Sequence, residues 1–529
     1  MKGGSVLGRA AVPLIVGLAA IIVYRALPSA DYHPDGYVNI AAMAERFRDT
    51  PLPVYMRSLL VVHALYDFLV VVTWKMITAV GYQGRAIYAF TAATSWLAGM
   101  GIAVFATTLH RITGSRFISA AAALGLAFSG GWWMFANNLE DILPTVVIFL
   151  IAFHLAVAAV QSGRLWLWAA AGVVAGLAVL AHNTNLMLAP AIFVLALHRR
   201  QGAIARIALA ASAMAAAVLL PLLLVGLAFG QIRHFGSFAG WVFFTRNFGV
   251  WGAGGIDWPG FAMTAARSII YRKSWIIYPA AAAFLALVVW AAARASTARD
   301  PQRARPSARL IVLSCIAWIL PVLAFAIYWN AIDIEFFMPA LPALWIVLAI
   351  GAQKSANRIP YAASCAAMAL IIFLANLIGT AIPDSNPANI PSRANTNALG
   401  QMLDGRELVL TPMTCWTSQD AAYFLQIDVL DMGWFLLHTK HIENSDFYGL
   451  LNHRIGRALD RGRTVYLHRP IDPDDPAWKR FVFYGGDLDR MRALFQDFDV
   501  SHAFDIGRER FLLIQMPMQP QQFHEKPLN

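Results

Sequence analysis

Charge is what this sequence lacks most. Only 13% of its 529 residues are Asp, Glu, Lys or Arg, against roughly 25% in a soluble domain. Such a chain cannot coat a water-facing surface over its whole length. Cysteine is almost absent too. Cys315, Cys365 and Cys415 stand far apart, which excludes a disulfide framework and a cysteine-ligated zinc site. Walker A, G-x-S-x-G, H-E-x-x-H and C-x-x-C patterns are missing, so nothing points to nucleotide hydrolysis.

What is present is apolar. Hydrophobic residues make up 59% of the chain, and long apolar runs recur from Ala10 to Ile382. That pattern specifies a polytopic, all-α membrane domain. The net charge is +11, but Lys and Arg collect in short loops between apolar runs. The positive-inside rule accounts for this without nucleic acid as a partner. Lys2 and Arg9 precede the first run, and Val23–Tyr24–Arg25–Ala26 is a poor cleavage site. We therefore read an uncleaved first helix with its N-terminus in the cytoplasm.

Loop charges set the remaining topology. His110–Arg111–Ile112–Thr113–Gly114–Ser115–Arg116 is basic and is placed inside. This forces Leu59–Val80, although apolar, to lie on or dip into the outer leaflet as juxtamembrane helices beside the short helix Tyr37–Arg48. The sequence then gives about eleven crossings between Ala10 and Ile382, each near the roughly 20 residues a span needs. Residues 383–400 read as a polar linker rich in Pro and Asn. Residues 401–529 have ordinary charge density and form a small α/β extracytoplasmic domain. Its strands are expected at Glu407–Leu410, Thr464–His468 and Arg510–Gln515, with a helix at Tyr448–Asp460.

With this topology the acids gather outside: Asp31, Asp35, Glu140, Asp141, Asp257, Asp333 and Glu335. A carboxylate at the membrane boundary is costly unless solvated or paired, which makes each a functional candidate. Each also has a plainer reading. Asp35 can cap the helix that follows it, and Glu140–Asp141 can complement the N-terminus of the next span, with Pro144 in its first turn. His182, in His182–Asn183–Thr184–Asn185, is either an interfacial anchor or a ligand to phosphate or metal. His63 and Asp67 share a helix face, read as packing unless a third ligand joins them. Arg57, Arg246, Arg267 and Arg272 are external cations able to hold a phosphate. Each also suits lipid headgroups. No motif demands a cofactor; a divalent cation is compatible with the acids.

These residues resemble a family. The uncleaved first span, the acidic loop DGYVNIAAMAE, the juxtamembrane apolar helices, the basic turn HRITGSR and the acid in NNLEDILP are similar to the GT-C membrane glycosyltransferases. HNTNLMLAP and IEFFMPALPAL are similar to that family's later spans. The likeness is to the protein O-mannosyltransferase and aminoarabinose transferase type, over about Ala10–Ile382. The resemblance implies a GT-C fold and a polyprenyl-phosphate-linked sugar donor. It implies Asp35 as base, with Glu140 or Asp141 binding acceptor or donor. The candidate substrate-binding set, read from the external polar residues, is Asn138, His182, Glu335, Arg57, Arg246 and Arg272. Gly36 follows Asp35 where some members have a paired Asp-Glu. This leaves Asp31 and Asp35 open as the base, and weakens the case for a metal. The function expected is sugar transfer to a hydroxyl at the outer face of a bacterial inner membrane. A transporter or flippase is the rival reading.

Overall fold

The computed structural model describes residues 6–32, 36, 40–57, 63–198, 201–229, 257–271, 277–297, 307–329, 333–354, 358–413, 416–439, 446–507 and 509–517. The chain divides into two compact units, Met1–Asn386 and Pro387–Asn529.

The first unit is helical. It opens with α1 (Val6–Ala26), α2 (Ala42–Arg46), α3 (Leu52–Met56) and α4 (Ala64–Ala79). Next come α5 (Ala86–Thr113), α6 (Arg116–Ala127), α7 (Gly130–Ala136), α8 (Ile142–Ser162) and α9 (Trp166–Ala181). A 3₁₀ turn, Asn183–Leu188, leads into α10 (Ala189–Ala196) and α11 (Ala203–Ala228). The unit closes with α12 (Trp258–Ile269), α13 (Ile277–Thr297), α14 (Ala308–Trp329), α15 (Leu341–Lys354) and α16 (Arg358–Asn376).

Among the described residues, seven helices are long and apolar enough to cross a membrane, and the bent pair α6–α7 makes an eighth candidate. Three shorter apolar stretches, Ala11–Ala26, Trp166–Ala181 and Asn183–Ala196, are also present. Helix α4 is not among these segments. Close helix contact follows from small residues, since lipid gives no hydrophobic drive to bring helices together. On α9, Gly172 and Gly176 are four apart and press on the α11 backbone at Ala210 and Met214. Gly17 of α1 and Gly99 of α5 meet in the same way. Side-chain bonds pin the segment after α1. Glu45 accepts from Arg85 Nε at 3.0 Å and from the Ala86 N–H at 2.8 Å, which caps α5 from a distance. Lys75 Nζ takes the carbonyls of Arg48 and Thr50.

The second unit is a three-layer α/β domain. Its helices are α17 (Pro391–Met402), α18 (Trp416–Phe424), α19 (Met432–Thr439), α20 (Phe447–Asp460), α21 (Pro476–Phe483) and α22 (Leu488–Gln496). Its strands are β1 (Leu408–Thr411), β2 (Asp428–Asp431), β3 (Val465–His468), β4 (Asp499–Ile506) and β5 (Glu509–Gln515), in the order β2-β1-β3-β5-β4. β1 runs parallel to β2 and β3; β5 runs antiparallel to β3 and β4. β1 is buried throughout, as a central parallel strand must be. Leu399 and Leu403 pack against Val409 and Phe511 on one face; Leu451, Ile455, Trp478 and Met491 cover the other. The stretch expected as a linker therefore holds a docked helix, α17, over most of its length.

Candidate functional site

The site is built at the junction between α7 and α8. Helix α7 ends at Ala136, and the chain turns through Asn137, Asn138, Leu139, Glu140 and Asp141 before α8 begins. Glu140 and Asp141 are only 3% and 5% exposed. The open N-terminus of α8 offers its unpaired N–H groups and partial positive charge to this pair. Two further turns bring in the other members.

The first is the end of α9. His182 leaves the helix with φ −154° and ψ 119°. Asn185 repairs the broken end by donating to the carbonyls of Ala178 and His182, both at 3.1 Å. The second is the 3₁₀ turn Ile334–Phe336, where Asp333 accepts the Glu335 N–H at 3.1 Å. These turns aim His182 Nε2 at Asp141 Oδ1 (3.8 Å) and at Glu335 Oε1 (4.0 Å). His63, just before α4, pairs through Nδ1 with Asp141 Oδ2. Its ring lies edge-on to that of His182 with centroids 4.6 Å apart. Tyr66, on α4, donates to the Glu140 carbonyl at 3.4 Å.

The electrostatics divide the two histidines. Burial works against a charge on His63, but Asp141, Asp67 and Glu140 outweigh it and raise its pKa to about 9. Burial lowers His182 to about 4, although Asp141 opposes that shift. Burial opposes ionisation of Asp141, yet His63 and His182 hold it well below the usual carboxylate range. Asp67 is raised to about 7, first by burial and also by Asp141, against the pull of His63. At neutral pH His63 is therefore the cationic imidazole of the pair, His182 the neutral one, and Asp141 is ionised.

Two donor sets are close enough to hold a cation: His63–Asp141–His182 and Glu140–Asp141–Glu335. The first fits poorly. His182 Nδ1 accepts the Thr184 N–H at 3.2 Å, so the proton of the neutral ring sits on Nε2, the atom facing the acids. A ligating nitrogen must be unprotonated. The second set fits a hard divalent cation, because it offers buried carboxylate oxygens. Asp141 Oδ1 is buried and makes no hydrogen bond among the described residues.

The structure thus brings together Glu140, Asp141, His182 and Glu335. Asn138 stands beside them, buried, with its amide donating to Met134. Arg57 ends α3 as an exposed residue. Asp31 is half-buried, beside the point where the Ala30 N–H donates to the Asp384 carbonyl at 2.7 Å, and it is near enough to Tyr271 to act on its hydroxyl together with Asp384 and Asp333. Asp35, Arg246 and Arg272 lie outside the described residues. The neighbour of Asp35, however, is informative. A side chain at Gly36 would run into the Leu139 carbonyl, so Gly36 itself lies directly against the turn that carries Glu140.

Two residues outrank their reading from sequence. His63 finds in Asp141 the third member that its pairing with Asp67 lacked, and Asp141 comes from the α7–α8 turn, which no spacing reveals. Arg267 stacks its guanidinium over the Tyr271 ring at 4.6 Å. Its Nε is buried and makes no hydrogen bond among the described residues.

No family model and no characterised protein sequence matches the chain. Solved structures do. The crystal structure of ArnT from Cupriavidus metallidurans bound to undecaprenyl phosphate matches with a TM-score of 0.54 at 13% identity, covering 98% of this chain and 100% of that one. The apo form of the same protein matches with a TM-score of 0.58 at 13% identity, covering 97% and 98%. The chain shares the overall fold of these ArnT structures.

Proposed function

We propose that this protein is a membrane glycosyltransferase. It takes a sugar from a polyprenyl-phosphate donor and passes it to a hydroxyl acceptor at the outer face of a bacterial cytoplasmic membrane. The observation that carries the reading is the convergence of Glu140, Asp141, Glu335, His63 and His182 at one buried junction, with Gly36 against Leu139. Bound undecaprenyl phosphate in the similar ArnT structure supports the donor class.

The roles follow from the chemistry. Inverting transfer needs a base within hydrogen-bond reach of the acceptor hydroxyl. Asp35 is the candidate, because the residue after it lies against Leu139; Asp31, in the Asp384 neighbourhood, is the weaker one. Asp141, kept ionised by His63, orients the acceptor. His182 faces Asp141 and Glu335 with Nε2, at 3.8 and 4.0 Å, and lines the same junction. The leaving phosphate needs positive charge where its own charge develops. Arg267 suits this, since its guanidinium has no ion pair among the described residues and is already ordered on Tyr271. A divalent cation held by Glu140, Asp141 and Glu335 would supply further charge stabilisation when bound.

The test is transfer by the purified full chain from labelled polyprenyl-phosphate sugars. Product formation abolished by Asp35→Asn, with the variant folded, supports the reading. Full activity in that variant removes Asp35 from its role. The transporter reading draws on one feature, the 67° bend between α6 and α7, since broken helices line transport sites. Flux of a labelled lipid-linked sugar across vesicles without transfer would favour it.

A further inference from the structure

The bend between α6 and α7 leaves carbonyls without helical partners in apolar surroundings, and each must find a donor. Ser129 Oγ takes Gly125 O at 2.7 Å. Tyr24 Oη takes Ala127 O at 2.7 Å. Phe128 O is taken at 2.7 Å by the side chain of Asn376. Asn376 does more than close the bend. The same amide donates to Ile269 O at 3.0 Å and accepts the Tyr271 N–H at 2.7 Å. One buried side chain therefore ties α16 to the α6–α7 break and to the end of α12.

Thr380, one turn further on, donates to the Tyr271 carbonyl. Both backbone groups of Tyr271 are thus held by side chains from Asn376 and from the π-helical turn Leu377–Ala381. Such turns recur at functional sites. Gly130, at the start of α7, has no room for a side chain against the Arg267 carbonyl and the Tyr271 N–H. The same junction that starts α7, and so aims Glu140 and Asp141, also seats Tyr271 and the Arg267 guanidinium above it.

We propose that Asn376, with Thr380, is a positioning residue. It fixes the Arg267–Tyr271 pair relative to the acid-bearing end of α7. The inference rests on the donor phosphate binding at Arg267, as proposed above. It acts through Arg267 rather than on the substrate itself.

The test uses the full chain in nanodiscs, with undecaprenyl phosphate as the probe. Arg267→Ala, Asn376→Leu, Thr380→Val and the double variants are compared for affinity per folded molecule. Asn376→Leu is expected to weaken binding about tenfold and Thr380→Val about threefold. Asn376→Leu combined with Arg267→Ala should bind no more weakly than Arg267→Ala alone, because residues that act through one group are not additive. Wild-type affinity in both Asn376→Leu and Thr380→Val overturns the inference. So does full multiplication of the Asn376 and Arg267 losses, which marks a general packing role. If Asn376→Leu does not fold, the Thr380→Val and Arg267→Ala cycle decides by the same criteria. Failure of the wild type to bind the probe, or full affinity in Arg267→Ala, would instead strike the parent reading.

Discussion

The two units of this chain each bury histidine beside carboxylate, and they balance the charge differently. In the α/β unit, Arg469 pairs with Asp475 at 3.1 Å and with Glu509 at 3.5 Å, and His468 stands 3.6 Å from Glu509. Two basic groups face two acids, at the edge where β3 meets β5. In the membrane unit, Glu140, Asp141 and Glu335 crowd together with one cationic histidine and one neutral one. The first arrangement sets basic groups against acids one for one on the two neighbouring strands and reads as structure. The second gathers three acids and two histidines from four separate turns at one buried junction, a grouping that marks a candidate binding site. Similar residues thus carry different meaning according to what the fold gathers around them.

The contrast can be broken in several ways. Asp141→Asn should lower sugar transfer per folded molecule about a thousandfold, beyond the stability lost by taking the partner of His63 away; an active variant would move the site elsewhere. Glu509→Gln should do the reverse. It leaves Arg469 and His468 buried with fewer partners, so stability should fall by about 3 kcal/mol in denaturant unfolding, with transfer per folded molecule unchanged. A divalent ion such as Mn²⁺ should raise the melting temperature of the wild type. The gain corresponds to about 2.7 kcal/mol at a hundredfold excess over Kd and should vanish in Glu335→Gln. His182→Ala should cost about tenfold in transfer by loosening the placement of the acids it lines, and His182→Gln should cost less because it keeps a polar group of similar reach there.

The smallest effect concerns His63. Its pKa is raised in the fold to about 9 from 6.5, so its contribution is complete below about pH 6.5 and is lost as pH rises through about 9. The melting-temperature gap between wild type and His63→Gln should therefore shrink across that window. A constant gap would mean that His63 is held by packing rather than by charge.

Much of the architecture was legible in the sequence because lipid imposes a simple rule. Most apolar runs of Ala10–Ile382 are helices among the described residues, or the bent pair α6–α7. In the α/β unit the strands at β1, β3 and β5 were visible as apolar runs. β2 and β4 were not. β2 is four residues bounded by Asp428 and Asp431, and β4 is a mostly exposed edge carrying Asp499, His502 and Asp505. Charge on an edge strand guards against stray pairing, and it also hides the strand from a hydrophobic pattern. Residues 383–400 read as a linker because Pro and Asn dominate, yet Pro391 starts a helix and Leu399 supplies its buried contact.

The site was legible in its acids and in His182, whose polar turn interrupts an apolar stretch. It was not legible in its wiring. His63 meets Asp141 across 78 positions of sequence, and Asn376 reaches Phe128 across 248. Local spacing carries no trace of either. Arg267 looked like any interfacial cation until Tyr271 was found beneath it.

The most direct test is a cryo-EM structure of the full chain with undecaprenyl phosphate bound. The lipid phosphate should lie within reach of Arg267, facing the junction of Glu140, Asp141 and Glu335. A phosphate seated at the opposite end of the helices, with that junction closed and dry, would contradict the account.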